Sequence, residues 1–200
     1  MVARQITSSG AGAAPRLVLA SRSPQRRAIL TQLRIPFDTV DVDVEEISAG
    51  PAIDLARANA LHKAEAGAAK RPGETVLGVD TVVAMDGEIF TKPAGELDAQ
   101  TTLKRLSGRT HEVVSGLALL APGNPQVVHE VTNVTFRHLD SELVARYVAT
   151  GEWSGRAGGY AIQGQGAALV LRIIGDYFNV VGLPVAKLLD LDLRLMLRES

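Results

Sequence analysis

Residues 16–33 read RLVLASRSPQRRAILTQL, and this stretch decides the architecture. Arg16 to Ala20 is a short apolar run of the kind that forms a buried strand. It runs into a serine-rich turn. Ser23 is a favoured helix N-cap, and Pro24 suits the first helical position because its missing N–H costs nothing there. Ile29, Leu30 and Leu33 then mark one apolar helix face. The order is therefore strand, tight turn, helix.

The reading extends outward from that unit. Phe37 to Val44 is expected to be a second strand, with the acidic pair Glu45 and Glu46 at its end. Pro51 opens a helix whose apolar stripe is Ile53, Leu55, Ala60, Leu61, Ala64 and Ala68. Thr75 to Val79 is a strand ending at Asp80. Thr81 to Met85 continues it, and Asp86-Gly87 signals a hairpin turn. Glu96 to Leu106 is helical, with Gly108 placed as a stop. Glu112 to Leu120 and Val127 to Phe136 flank the turn segment PGNPQ and predict an antiparallel pair. Ser141 to Thr150 is a helix followed by Gly151. Gly155 to Gly166 is a glycine-dense loop, Ala168 to Ile174 a strand, and GDY a turn. Pro184 opens a last helix reaching about Leu197. Mixed strands and helices with hairpins place the chain in the α/β or α+β class, with a mixed sheet.

Composition narrows the function. A chain of 200 residues suffices for one domain, or for two small lobes sharing a cleft. Residues 16–200 are expected to form a single domain behind a flexible leader over 1–15 that lacks a signal-peptide core. The balance of 46% hydrophobic and 22% charged residues argues against disorder and membrane classes, and no apolar run nears the ~18 residues of a span. A net charge of -1 argues against a polymeric nucleic acid partner, which usually demands a basic excess. The absence of cysteine excludes disulfides, thiolate metal sites and thiol nucleophiles, and fits the cytoplasm.

Three segments carry chemistry. In SRSPQRR a strand feeds a helix N-terminus, where free N–H groups and the helix dipole favour an anion. Arg22, Arg26 and Arg27 add charge, and Arg26 lies within reach of that place. The alternative is a capped helix with solvated arginines. In GVDTVV, Asp80 sits where α/β proteins present ligands, able to hold magnesium or polarise water; the alternative is a turn-forming aspartate. Glu46, Lys63 and Lys92 are weak singly. With Asp80 and Arg26 they make the inventory of a metal–polyphosphate site: carboxylates for the cation, bases for phosphate oxygens.

Competing motifs fail. No G-x-x-x-x-G-K-S/T is present, so a P-loop is excluded. GQGAAL at 164–169 precedes a strand rather than a helix, so it is not a dinucleotide fingerprint. His62, His111, His129 and His138 have no metal-ligand spacing and are expected at surface or half-buried positions. Ser21 and Ser23 lack a nearby histidine and a GxSxG elbow, so a serine triad is unsupported.

Taken in order, LASRSPQRRAIL, the Glu45–Glu46 pair, HKAEA, GVDTVV, DGEIFTKP, LSGRTHEVVSG, GRAGGYAIQGQGA and GDYFNVVGLP resemble the Maf family, also called septum-formation inhibitors. The resemblance covers roughly residues 16 to 195. It implies an elongated mixed sheet flanked by helices, with two lobes around a deep cleft, as in inosine triphosphate pyrophosphatase-like proteins. It implies hydrolysis of a nucleoside triphosphate to monophosphate and pyrophosphate with Mg2+ or Mn2+, and a house-cleaning role in clearing surplus or non-canonical nucleotides.

By matching position, Asp80 corresponds to the family's catalytic aspartate, and Glu46, or else Glu45, to the second acid. Ser21, Ser23 and Arg26 correspond to the phosphate-binding turn, Lys63 and Lys92 to the lysines of the cleft. Gln25, Thr81 and Gln163 fall at positions linked to substrate choice. Thr81 and Gln163 resemble the pyrimidine-specific branch that acts on dTTP and UTP, which usually carries arginine where this chain has Gln25. The branch acting on 7-methylguanosine triphosphate carries tryptophan, glutamine and glutamate there, and none of the three matches. The resemblance also admits a homodimer. Two rival readings are a nucleotide-binding regulator of cell division without hydrolysis, and a purine pyrophosphatase of the inosine triphosphate type.

Overall fold

Thr75–Met85 is one uninterrupted strand, and the rest of the sheet is arranged along its two edges. The computed structural model describes residues 17–196. The expected leader over 1–15, Arg16 and Leu197 lie outside the described residues. Among these, seven strands form one sheet: β1 (Leu17–Leu19), β2 (Phe37–Thr39), β3 (Thr75–Met85), β4 (Glu88–Phe90), β5 (Thr110–Ala121), β6 (Asn124–Phe136) and β7 (Val170–Ile174). Their order is β2-β1-β3-β5-β6-β7, with β4 also pairing β3. β2, β1 and β3 run parallel; β4, β5, β6 and β7 pair antiparallel to their neighbours. The helices are α1 (Pro24–Gln32), α2 (Ala52–Lys70), α3 (Glu96–Leu106), α4 (Ser141–Ala149), α5 (Tyr177–Val181) and α6 (Val185–Leu191). This is the expected α/β class with a mixed sheet flanked by helices. No helix among the described residues is long and apolar enough to cross a membrane.

Alternation along β3 and β5 builds two separate cores on one sheet face. Leu77, Val79, Leu117 and Leu119 pack against Ile29 and Leu30 of α1 and Leu188 of α6. Val83, Met85 and Val113 pack with Phe136 against Leu103 of α3 and Tyr147 of α4. Between these cores the same face carries Thr81 and Ser115, paired in register. Their hydroxyls lie 2.9 Å apart. A polar floor thus separates two apolar lobes.

The opposite face is covered by α2, which meets the sheet backbone directly at Gly78 and Gly116. A Cβ built on Gly78 would lie 2.1 Å from the carbonyl oxygen of Ala60, and one on Gly116 the same distance from that of Ala56. Ala56, Ala60 and Ala64 are fully buried in this seam. Glycine in a strand interior often marks such a close backbone approach.

One edge of β3 is interrupted. β1 pairs with it from Leu17↔Thr75 to Leu19↔Leu77, and β4 only from Val83↔Phe90 to Met85↔Glu88. Val79 to Val82 therefore have no strand beside them on that edge. Asp80 lies mid-strand beside this gap and is buried, rather than at the strand end expected from sequence.

The other departures have local causes. The second strand stops at Thr39, not Val44. Val40 N–H still donates to Leu19 carbonyl at 3.1 Å, but β1 ends there and its partner edge is lost. Glu45 and Glu46 consequently sit in an irregular segment. The β5–β6 reversal uses only Pro122 and Gly123, the latter at φ 76°. Gly164–Leu169 winds into a 3-10 turn, delaying β7 to Val170, and Ala157–Gly159 forms another within the expected loop. α5 follows the GDY turn because Asp176 caps Phe178 N–H at 2.7 Å. The last helix ends at Leu191: Asp192 is extended and its carboxylate accepts Arg194 N–H at 3.0 Å, an arrangement that competes with helix continuation.

Gly116→Ala should therefore lower the stability of the protein by ~1–3 kcal/mol or more, because the added methyl meets backbone rather than a movable side chain. Gly95→Ala, where a Cβ meets nothing within 4 Å, should cost no more than about 1 kcal/mol, the loss of a favourable cap residue on α3. Denaturant unfolding of both variants measures the contrast.

Candidate active site

A cleft of about 300 Å3 opens at the gap in β3. All ten residues expected from sequence line it: Ser21, Ser23, Gln25, Arg26, Glu46, Lys63, Asp80, Thr81, Lys92 and Gln163. Glu45 is not among the lining residues, so the fold brings Glu46 forward from that pair.

The centre is a lysine between two acids. Lys63 Nζ lies 2.6 Å from Glu46 Oε1 and 2.6 Å from Asp80 Oδ1. Lys63 comes from α2, held close by the Gly78–Gly116 seam, and Asp80 from β3. The Lys63 and Asp80 side chains are 12% and 9% exposed, whereas Glu46 is 43% exposed towards the cleft. Lys92 Nζ stands 3.9 Å from Glu46 Oε2. Burial opposes ionisation of Glu46, but the hydrogen bond and charge of Lys63, with Lys92 and Arg26, outweigh it and hold its carboxyl below the usual range.

Across the cleft, the turn between β1 and α1 is organised by Arg26. Its Nε donates to Gly182 carbonyl at 2.8 Å, Nη1 to Ser21 Oγ at 3.1 Å and Nη2 to Thr81 Oγ1 at 3.1 Å. A guanidinium has five N–H donors, so two remain for an anion. Burial lowers the Arg26 pKa, while Asp80 and Glu46 raise it; arginine nonetheless keeps its charge. Ser23 caps α1, its Oγ accepting from Arg26 N–H at 3.5 Å, and the same hydroxyl donates to Gln25 Oε1 at 3.2 Å. The Gln25 amide nitrogen is left for the cleft.

Glu46 and Asp80 are the oxygen donors a hard divalent cation takes when one or two carboxylates and substrate phosphates complete its shell. Among the described residues no group of three or more His, Asp or Glu makes an all-protein cage.

The sequence model of the family described as Maf-like protein matches residues 16–194. This chain belongs to that family. Among its relatives, the dTTP/UTP pyrophosphatase of Symbiobacterium thermophilum is 46% identical over 171 residues, 84% of this chain and 88% of that protein. The dTTP/UTP pyrophosphatase of Nitratidesulfovibrio vulgaris is 47% identical over 186 residues, covering 91% and 89%. That of Moorella thermoacetica is 47% identical over 180 residues, covering 88% and 93%.

In this Maf-like fold several site neighbours escaped sequence reasoning. Asn59 is 2% exposed and donates to Asp80 Oδ2 at 3.2 Å. Its signal was a lone amide inside the apolar stripe of α2, four residues before Lys63. Ser115 lies hidden in an apolar strand run, and Gly182 contributes only a carbonyl.

His111 corrects an expectation. It is 1% exposed, neither at the surface nor half-buried, because it shares the inward face of β5 with Val113. Its ring meets Phe136 and Tyr160 edge-on at 4.9 and 5.3 Å, and its Nε2 is 2.8 Å from Tyr160 Oη, behind the cleft wall. Burial pushes its pKa down to about 4 from 6.5. The unfolded chain therefore binds a proton more readily, and stability falls as pH drops from 6.5 towards 4, by roughly 3 kcal/mol in total. In His111→Gln this part of the pH slope should vanish, as urea unfolding at pH 7, 5.5 and 4 would show.

Proposed function

We propose that this chain is a nucleoside triphosphate pyrophosphatase, cutting the α–β phosphoanhydride to give monophosphate and pyrophosphate, with dTTP and UTP as its principal substrates. The observation that carries this reading is the Lys63 ammonium set 2.6 Å from both Glu46 and Asp80, opposite an arginine-bearing helix N-terminus. The relatives named dTTP/UTP pyrophosphatase support it. Cytoplasmic residence accompanies the reading, since its substrates are held there.

The triphosphate lies along the turn Ser21 to Arg26. The two free N–H donors of Arg26, the α1 N-terminus and the ammonium of Lys92 meet its oxygens. A divalent cation, Mg2+ or Mn2+, held by Glu46 and Asp80 would add Lewis-acid charge on the polyphosphate. Asp80 accepts one hydrogen bond on each oxygen, from Lys63 and Asn59, and a carboxylate has lone pairs to spare. It takes a proton from the attacking water as the new O–P bond forms at the α-phosphorus. The bond to the β-phosphate oxygen breaks, and pyrophosphate leaves with its charge offset by Arg26, Lys63 and Lys92.

Gln163 and Gln25 both line the cleft, and the nucleobase is placed against them. A glutamine amide donates to O4 and accepts from N3–H of uracil or thymine; flipped, it serves cytosine. Neither residue offers an aromatic platform for a cationic methylated guanine.

Asp80→Asn should reduce turnover at least ~100-fold with the fold intact by circular dichroism. Wild type with UTP and divalent metal should release UMP and pyrophosphate, and chelator should stop it; UDP and orthophosphate as products would sink the assignment. In kcat/KM, UTP and dTTP should exceed ITP and 7-methylguanosine triphosphate, with CTP nearer to them than either purine and Gln163→Glu narrowing the gap to the methylated guanine. A methylated guanine as the best wild-type substrate would overturn the base assignment alone.

A further inference from the structure

We propose that Asn59 is the positioning residue of this reactive centre: one carboxamide pins the chain beside Glu46 and orients the Asp80 carboxylate, so that both acids meet Lys63. The inference rests on the pyrophosphatase reading above and assigns a role to a residue outside the cleft lining.

Three of the four hydrogen-bonding positions of the Asn59 amide go to two partners. Its Oδ1 accepts Ile47 N–H at 2.8 Å, and its Nδ2 donates to Ile47 carbonyl at 3.0 Å. The second Nδ2 hydrogen goes to Asp80 Oδ2 at 3.2 Å. Two donors and one acceptor site are thereby used by a side chain that is 2% exposed. Ile47 follows Glu46 directly, and residues 40–51 contain no helix or strand to set their course. The paired bonds to both backbone groups of Ile47 do what a strand partner would otherwise do. They fix the chain one residue from the carboxylate that Lys63 and Lys92 meet.

The grip on Asp80 is two-sided. Asn59 and Lys63 are four apart on α2, hence neighbours on one face. Asn59 takes Oδ2 while Lys63 takes Oδ1 at 2.6 Å, so rotation of the carboxylate plane would break a bond at either end. Asn59 lines a smaller adjoining pocket of about 230 Å3 that shares Glu46, Asp80, Thr81 and Lys92 with the principal cleft, but it is itself 2% exposed and both its amide hydrogens are already bonded. It therefore acts through the two acids and not on the nucleotide.

The test measures kcat and KM for UTP with Mg2+ in wild type, Asn59→Ala and the isosteric Asn59→Asp, with melting curves and calorimetric UTP binding in chelator. Misplacement of reacting groups by about an ångström costs on the order of 100-fold in rate. Both variants are expected to fold, lose roughly 100-fold in kcat, and keep KM and metal-free UTP binding within about threefold. A folded Asn59→Ala with kcat within threefold of wild type would overturn the inference, as would a loss appearing in KM and binding. Failure of both variants to fold would also overturn it, by assigning Asn59 to stability instead. A wild type that releases no pyrophosphate from any nucleoside triphosphate would defeat the functional reading itself, and the inference with it.

Discussion

The site depends on how closely α2 lies against the sheet. Backbone meets backbone where Ala56 and Ala60 pass Gly116 and Gly78, with room for no methyl group between them. That spacing lets the side chain of Asn59 reach Asp80 at the middle of the sheet, and brings Lys63 to the same carboxylate. A helix standing off at the usual distance of side-chain packing would leave Asp80 buried and unpaired, which a charged group tolerates poorly.

The second requirement is the interrupted edge of β3. β1 departs after Leu19 to make the Ser21–Arg26 turn, and β4 arrives only at Val83. A continuous neighbour would seal the edge of β3 beside Asp80 and Thr81. Beside it, Thr81 and Ser115 divide one sheet face into two apolar cores, so the cleft runs between lobes that share β3 and β5 as a common floor.

Charge in the cleft is arranged as alternating signs: Arg26, Asp80, Lys63, Glu46, Lys92. In this arrangement each carboxylate has a cation beside it, and the Lys63 ammonium lies where positive charge between two acids is best stabilised. A polyphosphate and its cation can enter by exchanging partners within this set, without exposing a bare buried charge. The Arg26 guanidinium joins the turn, the β3 floor through Thr81, and the chain after α5 through Gly182, so it serves structure and anion attraction together.

Sequence alone determined the strand–turn–helix at its N-terminal end, the α/β class, and the set of acids and bases that converge. Caps, glycine turns and periodicity are local properties, and residue type declares charge wherever it is placed. Family-like motifs located Gln25, Thr81 and Gln163, and the fold sets all three in the cleft wall. Tertiary structure alone decided which glutamate of the pair faces inward, that Asp80 lies mid-strand, that His111 is buried, and that Asn59 ties Glu46's segment to Asp80. It also ended β2 at Thr39, where the alternation of Val40, Val42 and Val44 reads on as strand. These outcomes turn on partners far away in the chain: Arg26 and Gly182 are 156 positions apart. A strand needs an adjacent edge, and a buried amide needs its acceptor. Packing supplies both, and no window of neighbouring residues records it.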